Sequence, residues 1–134
     1  MAHWLMKSEP ESYGWGDLVR EGETEWTGVR NAAAAKHLRE MAVGDEALFY
    51  HSGKDKAAVG VMEVARTAQK DGNDGHWVSV AVRPVAALTL PVTLAAMKAE
   101  PKLTGMVVLR QSRLSVSPVS EAEWISLMAM AATP

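Results

Sequence analysis

Glu46-Ala47-Leu48-Phe49-Tyr50-His51-Ser52 is followed by Gly53-Lys54-Asp55-Lys56 and then by the apolar run Ala57 to Ala68. Both flanks are rich in apolar and β-branched or aromatic residues, and the four residues between them carry glycine and charge. The stretch therefore reads as two strands joined by a hairpin loop. Working outward, Trp77 to Val85 reads as a third strand, with Val78, Val80 and Val82 on one face by period two. Trp4 to Ser8 reads as the first strand. Glu9-Pro10 ends it, because Pro10 has no N–H for a ladder and holds Glu9 extended. Met106 to Leu109 and Leu114 to Val119 read as the last strands.

Helices fill the intervals. Asn31 is suited to cap a helix reaching about Met41, through four alanines at 32 to 35, with Gly44 just beyond its end. After the turn Tyr13-Gly14-Trp15-Gly16, Asp17 is placed to cap a short helix through Arg20. Thr93 caps another, limited by Pro101. Ser120-Glu121-Ala122-Glu123 matches a capping box ahead of Trp124, Leu127, Met128 and Ala131 at helical spacing. Strands outnumber helices and most are close in sequence. The expected fold class is α+β, a mixed, mostly antiparallel β-barrel or pseudo-barrel with about three peripheral helices; a parallel βαβ fold is the weaker alternative.

The 134 residues fall within the range of one domain, 1–134, with one sizeable core, and 48% hydrophobic with 22% charged residues are ordinary globular values. Zero cysteines exclude disulfides and thiolate metal sites. No segment resembles a leader core or a membrane span, so the expectation is a cytoplasmic protein with no membrane partner. The glycine spacings match no phosphate-cradling loop, no Gly-x-Ser-x-Gly elbow occurs, and the four histidines stand singly. Neither a cofactor nor a metal is expected. A monomer is favoured, although the sequence does not fix the oligomeric state. A net charge of -2 argues against coating nucleic acid by bulk electrostatics, so any basic footprint must be local.

Four polar clusters sit at strand ends or turns: Lys7-Ser8-Glu9-Pro10, Trp26-Thr27-Gly28-Val29-Arg30-Asn31, Tyr50-His51-Ser52, and Arg110-Gln111-Ser112-Arg113-Leu114-Ser115. In type, order and interval they resemble the EVE-domain family over essentially the whole chain. The resemblance implies a PUA-like fold, related to domains that read methylated adenine in RNA. It also implies recognition of modified bases, notably modified cytosine in DNA, and no catalysis. The chain departs from the family pattern at Gly14, where a capping Ser is frequent, at Ala32, where an aromatic is frequent, and at Lys36, near a frequent Arg. Losing the aromatic at 32 opens one wall of the implied site.

On physical grounds Trp26 offers a flat face for stacking, worth ~1–3 kcal/mol per base. In that role it is removable without unfolding the chain; as a core tryptophan it is not. Ser8, Glu9, His51 and Ser52 have the donors and acceptors to read an extruded base's edge, and Glu9 suits an exocyclic amine such as that of cytosine. Gly28, Val29 and Asn31 belong to the same base pocket through the second motif, and Tyr50 contributes its hydroxyl. Lys7, Arg30, Arg110, Gln111, Ser112 and Arg113 suit phosphate contacts, with Arg30 beside a helix N-terminus. The expected partner is DNA or RNA with a modified base. Two alternatives stay open: an enzyme with His51 and Glu9 as an acid–base pair, and a scaffold holding a nucleoside or other small molecule.

Overall fold

In the computed structural model, which describes residues 1–73 and 75–132, the central hairpin forms β3 (Glu46–His51) and β4 (Ala57–Lys70). They pair antiparallel from Glu46↔Glu63 to His51↔Ala57. The first strand, β1 (His3–Ser8), lies parallel to β3, and β6 (Val116–Val119) pairs antiparallel with β1. On the other side β5 (Val78–Thr93) follows β4, and β2 (Thr24–Trp26) pairs with β5. The six-stranded order is β2-β5-β4-β3-β1-β6.

The sheet stays open, with β2 and β6 as its edges. The helix α2 (Ala32–Glu40) touches β4, β5 and β6, so the sheet curls around it and the helix spans the gap. Of the two forms expected, this is the pseudo-barrel. The other helices are α1 (Trp15–Glu21), α3 (Leu94–Ala99), α4 (Val107–Arg110) and α5 (Glu121–Ala132), with a 3-10 turn at Pro101–Leu103. That is more helix than the three expected.

Alternation along β3 explains why both faces are covered. Ala47 and Phe49 enter one core with Trp4, Met6, Leu38 and Val82, whereas Leu48 and Tyr50 enter a second with Leu5, Met97, Trp124 and Leu127. A sheet apolar on both sides must bury both. Helices α1 and α2 close the first face, and α3 and α5 the second.

Several local expectations hold. Asn31 Oδ1 accepts from the Ala34 N–H at 3.0 Å, Thr93 Oγ1 from the Ala96 N–H at 3.0 Å, and Ser120 and Glu123 exchange both capping-box bonds. Others are corrected. Asp17 does not cap α1: Gly14 does, and Asp17 Oδ2, three residues on, accepts the Gly14 N–H at 2.7 Å. Met106 to Leu109 is not a strand. Its valines begin the single turn of α4, and Met106 and Val108 bury against the second core, an environment that outweighs β-propensity. β2 escaped notice because three residues, one of them Glu25, give too short a pattern to read.

Candidate nucleic-acid interface

The end of β1, the turn before α1 and all of β2 enclose a cleft of about 280 Å³, just below the usual range of roughly 300–1,000 Å³ for ligand pockets. Lys7 and Ser8 line it from β1 and Tyr13 from the turn, with Thr24, Glu25, Trp26 and Thr27 opposite. Its aromatic wall is organised by Phe49, which is fully buried at the hub of four rings. Trp26, Trp15 and His51 stand edge-on to it with centroids at 5.4, 5.7 and 5.5 Å, and Tyr13 is tilted at 6.4 Å. Close packing of Trp15 explains Gly60: a Cβ there would lie 2.5 Å from the indole ring.

Hydrogen bonds fix the polar rim. Ser8 Oγ donates to the Tyr13 carbonyl at 2.6 Å, and the Tyr13 hydroxyl donates to Glu21 Oε1 at 2.9 Å. Burial, aided by the Glu21 charge, pushes the Tyr13 hydroxyl above its ordinary pKa and keeps it a donor. Glu25, the carboxylate lining this cleft, pairs through one oxygen with Arg66. The Trp15 backbone N–H donates to His51 Nε2 at 3.1 Å. That nitrogen must be the acceptor, so the neutral ring carries its proton on Nδ1, which donates to Asp55 Oδ2 at 3.1 Å.

A basic loop adjoins the cleft. Arg110 to Leu114, with Asn31 and Ala33, borders a second cleft of about 340 Å³. Lys7 ties this loop to β1 twice, its N–H donating to the Ser115 carbonyl at 2.8 Å and its Nζ to the Ser112 carbonyl at 2.7 Å. Burial lowers the Lys7 ammonium below its ordinary pKa. Arg110 and Arg113 are exposed and make no ion pair among the described residues.

Asp71, from the β4–β5 connection, clamps the segment before α2. Its Oδ2 accepts from the Gly28 N–H at 3.0 Å and from Arg30 at 3.0 Å, while the Arg30 guanidinium lies 5.6 Å over the Trp77 ring. The Gly28 bond first, and Arg30 second, hold the Asp71 carboxyl below its ordinary value. A group with a depressed folded pKa stabilises above its unfolded pKa, near 3.8 here, and loses that contribution as pH falls through the lower folded value. Urea denaturation should therefore find wild type more stable than Asp71→Asn at neutral pH, with the gap closing on acidification below about 3.8. A gap unchanged at acid pH would mean that the clamp does not depend on the carboxylate.

The structure separates residues that the sequence had grouped in one pocket. Lys7, Ser8 and Trp26 share the first cleft, joined by Tyr13, Thr24 and Glu25, which lie outside the four motifs, and by Thr27, which stands in the second motif without having been assigned a role. Glu9 lies elsewhere, lining a groove with Ser52 and the hairpin loop. Tyr50, one residue from Phe49, points to the opposite face and is buried there; burial raises its hydroxyl pKa. Val29 is a core residue. Gly28, at φ 81°, and Ala32 are exposed. Trp26 is only 8% exposed, so it is a core tryptophan with one edge at the cleft rather than a freely removable platform.

A model of the EVE domain family matches residues 2–130. The chain belongs to the EVE domain family. Human thymocyte nuclear protein 1 is 33% identical to this EVE domain over 159 residues, covering 92% of this chain and 71% of the human protein. Among solved structures, an Agrobacterium tumefaciens protein superposes with TM-score 0.96 at 38% identity, covering 98% of this chain and 94% of its own. The crystal structure of human THYN1 in complex with 5-methylcytosine-containing DNA superposes with TM-score 0.90 at 30% identity, covering 100% of this chain and 99% of its own. A Zygosaccharomyces rouxii YTH domain, at 14% identity and TM-score 0.61, shares the fold with this EVE domain.

Proposed function

We propose that this EVE domain is a non-catalytic reader of DNA that takes a modified cytosine, 5-methylcytosine, into the cleft between β1 and β2. The observation that carries this reading is the juxtaposition of an aromatic-walled polar cleft with an exposed basic loop, joined through Lys7. Human THYN1, of the same family and fold, was crystallised with 5-methylcytosine-containing DNA. Extruding a base costs a few kcal/mol, offset by aromatic contact and edge hydrogen bonds. The first cleft supplies the edge of Trp26, the hydroxyls of Ser8, Thr24 and Thr27, and the Glu25 carboxylate. The second Glu25 oxygen is the acceptor suited to an exocyclic amine, a role the sequence had given to Glu9. Arg110 and Arg113 grip the backbone. His51 positions Trp15 and the hairpin loop through its two ring nitrogens, which argues against a His51–Glu9 acid–base pair.

Anisotropy titrations of duplexes with one 5-methylcytosine, matched unmethylated duplexes and the corresponding RNA, at one salt concentration, test the reading. Tighter binding of the methylated duplex is expected, and equal affinity for both duplexes would overturn it. Arg110→Gln and Arg113→Gln should each weaken all sequences alike and reduce the salt slope by about 0.9 per phosphate contact. An unchanged slope would return both arginines to ordinary surface residues.

A further inference from the structure

A third cavity, of about 300 Å³, shares Lys7 with the Trp26 cleft. Three lysines line it: Lys7 from β1, Lys56 from the β3–β4 loop and Lys98 from α3. Leu94, Val108 and Leu109 give it an apolar wall, and Tyr50, Ser52 and Ser112 carry hydroxyls at its border. No carboxylate is among the lining residues. The adjoining groove, which shares Ser52, Gly53 and Lys56 with this cavity, carries the carboxylates Glu9, Glu11 and Asp55; of these Asp55 accepts from His51 and Glu9 lies against Gly53. Lys56 and Lys98 are exposed and make no ion pair among the described residues.

The backbone supplies an independent observation. Lys56 has φ 45°, the one left-handed non-glycine residue among those described. Glycine or asparagine takes that conformation at lower cost than lysine. The Lys56 carbonyl accepts from the Leu94 N–H at 2.8 Å, which fixes this loop end to α3, one turn before Lys98. A long cationic side chain is thus held at a position whose local geometry favours glycine, facing two further cations. Strain of this kind points from the outlier to a functional constraint.

We infer that Lys7, Lys56 and Lys98 form a phosphate-binding subsite. Lys7 borders both cavities, so the group it takes is a backbone phosphate of the strand whose base enters the Trp26 cleft. Part of this inference rests on the proposed base-reading role; the lysine cavity as an anion site does not. Lysine is a point-charge partner for phosphate; the Ser112 carbonyl takes one of the three Lys7 Nζ protons, and no carboxylate lines the cavity to compete with the anion.

The test uses the full chain with Lys56→Gly and Lys98→Gln. Lys56→Gly relieves the left-handed strain, so its urea midpoint should equal or exceed that of wild type. Each variant should lose about 0.9 from the salt slope on duplex DNA, equally for methylated and unmethylated sequences. In a second arm, inorganic phosphate should shift the NMR amide signals of 52–56 and 94–98 in wild type and not in Lys56→Gly. Slope loss with these shifts supports a strand phosphate. Shifts with phosphate alone, at unchanged DNA slopes, support the anion subsite but assign it to a small phosphorylated ligand. A wild type that binds no oligonucleotide yet responds to phosphate refutes the base-reading role and leaves the subsite standing. Unchanged slopes and no phosphate response overturn the subsite, whatever the methylcytosine preference.

Discussion

Trp26→Ala should lower folding stability by about 3–5 kcal/mol, the range for removing a buried aromatic side chain. For a chain of this size that is a fall in melting temperature of roughly 10–20 °C. The indole is 8% exposed, stands 5.4 Å edge-on to Phe49, and sits where β2 meets Val80 of β5. Cutting it away leaves a void beneath the cleft and loosens the short strand that forms one wall. Binding should fall as well, beyond what the unfolded fraction explains, by up to the ~1–3 kcal/mol of one stacked base. Trp26→Phe separates the two effects, because it keeps a flat ring against Phe49 and should retain most of the stability and the methylcytosine preference. Calorimetric melting with anisotropy on the folded protein checks both. An alanine variant that melts like wild type would show that the ring contributes little to the core.

The second large effect belongs to Asp45, far from any binding role. The residue is 5% exposed, and its carboxylate accepts three N–H groups: Ala2 at 3.1 Å, the Trp4 indole at 3.1 Å and Ala42 at 3.0 Å. Burial on its own would raise the Asp45 pKa, but the bonds from Ala42, Trp4 and Ala2 together outweigh it and hold the carboxyl below its ordinary value. Asp45→Asn keeps the size and replaces one acceptor oxygen with a donor amide facing donors. With the remaining oxygen at the Oδ2 site the Ala2 N–H is left unpaired, and with it at the Oδ1 site both the Trp4 indole and the Ala42 N–H are. The expected loss is about 2–4 kcal/mol at neutral pH, since bonds to a charged group contribute ~1.5–3 kcal/mol and a buried orphan costs ~1–3. The sign with pH follows: the contribution is present above the unfolded pKa near 3.8 and disappears as acid protonates the folded carboxyl, so wild type and variant should converge at low pH. Urea midpoints over a pH series measure it. A variant as stable as wild type at neutral pH would remove Asp45 from the supports of the β1–β3 corner.

Much of the fold is legible in the sequence because the signals are local. The hairpin at 53–56, the Asn31, Thr93 and Ser120 caps and the period-two valines of β5 depend on neighbours within a few residues, and the structure keeps each of them. The four motifs likewise announced the family, since residue types in order are themselves a property of the chain. What they did not reveal is which residues share a cavity. Phe49 and Tyr50 are adjacent, yet the strand pleat sends them to opposite faces, so Tyr50 joins the lysine-lined cavity and Phe49 the aromatic hub behind Trp26. Glu9 follows Ser8 but leaves the cleft at the turn, and Glu25, unmarked by any motif, enters it because β2 pairs with β5 some fifty residues on. Burial of Trp26, the parallel pairing of β1 with β3 and the opening of the barrel around α2 are long-range packing outcomes. The sequence by itself determined the elements and the kind of chemistry at their ends. Only the tertiary structure decided which of those ends meet, because strand register and sheet curvature arise from contacts between distant segments.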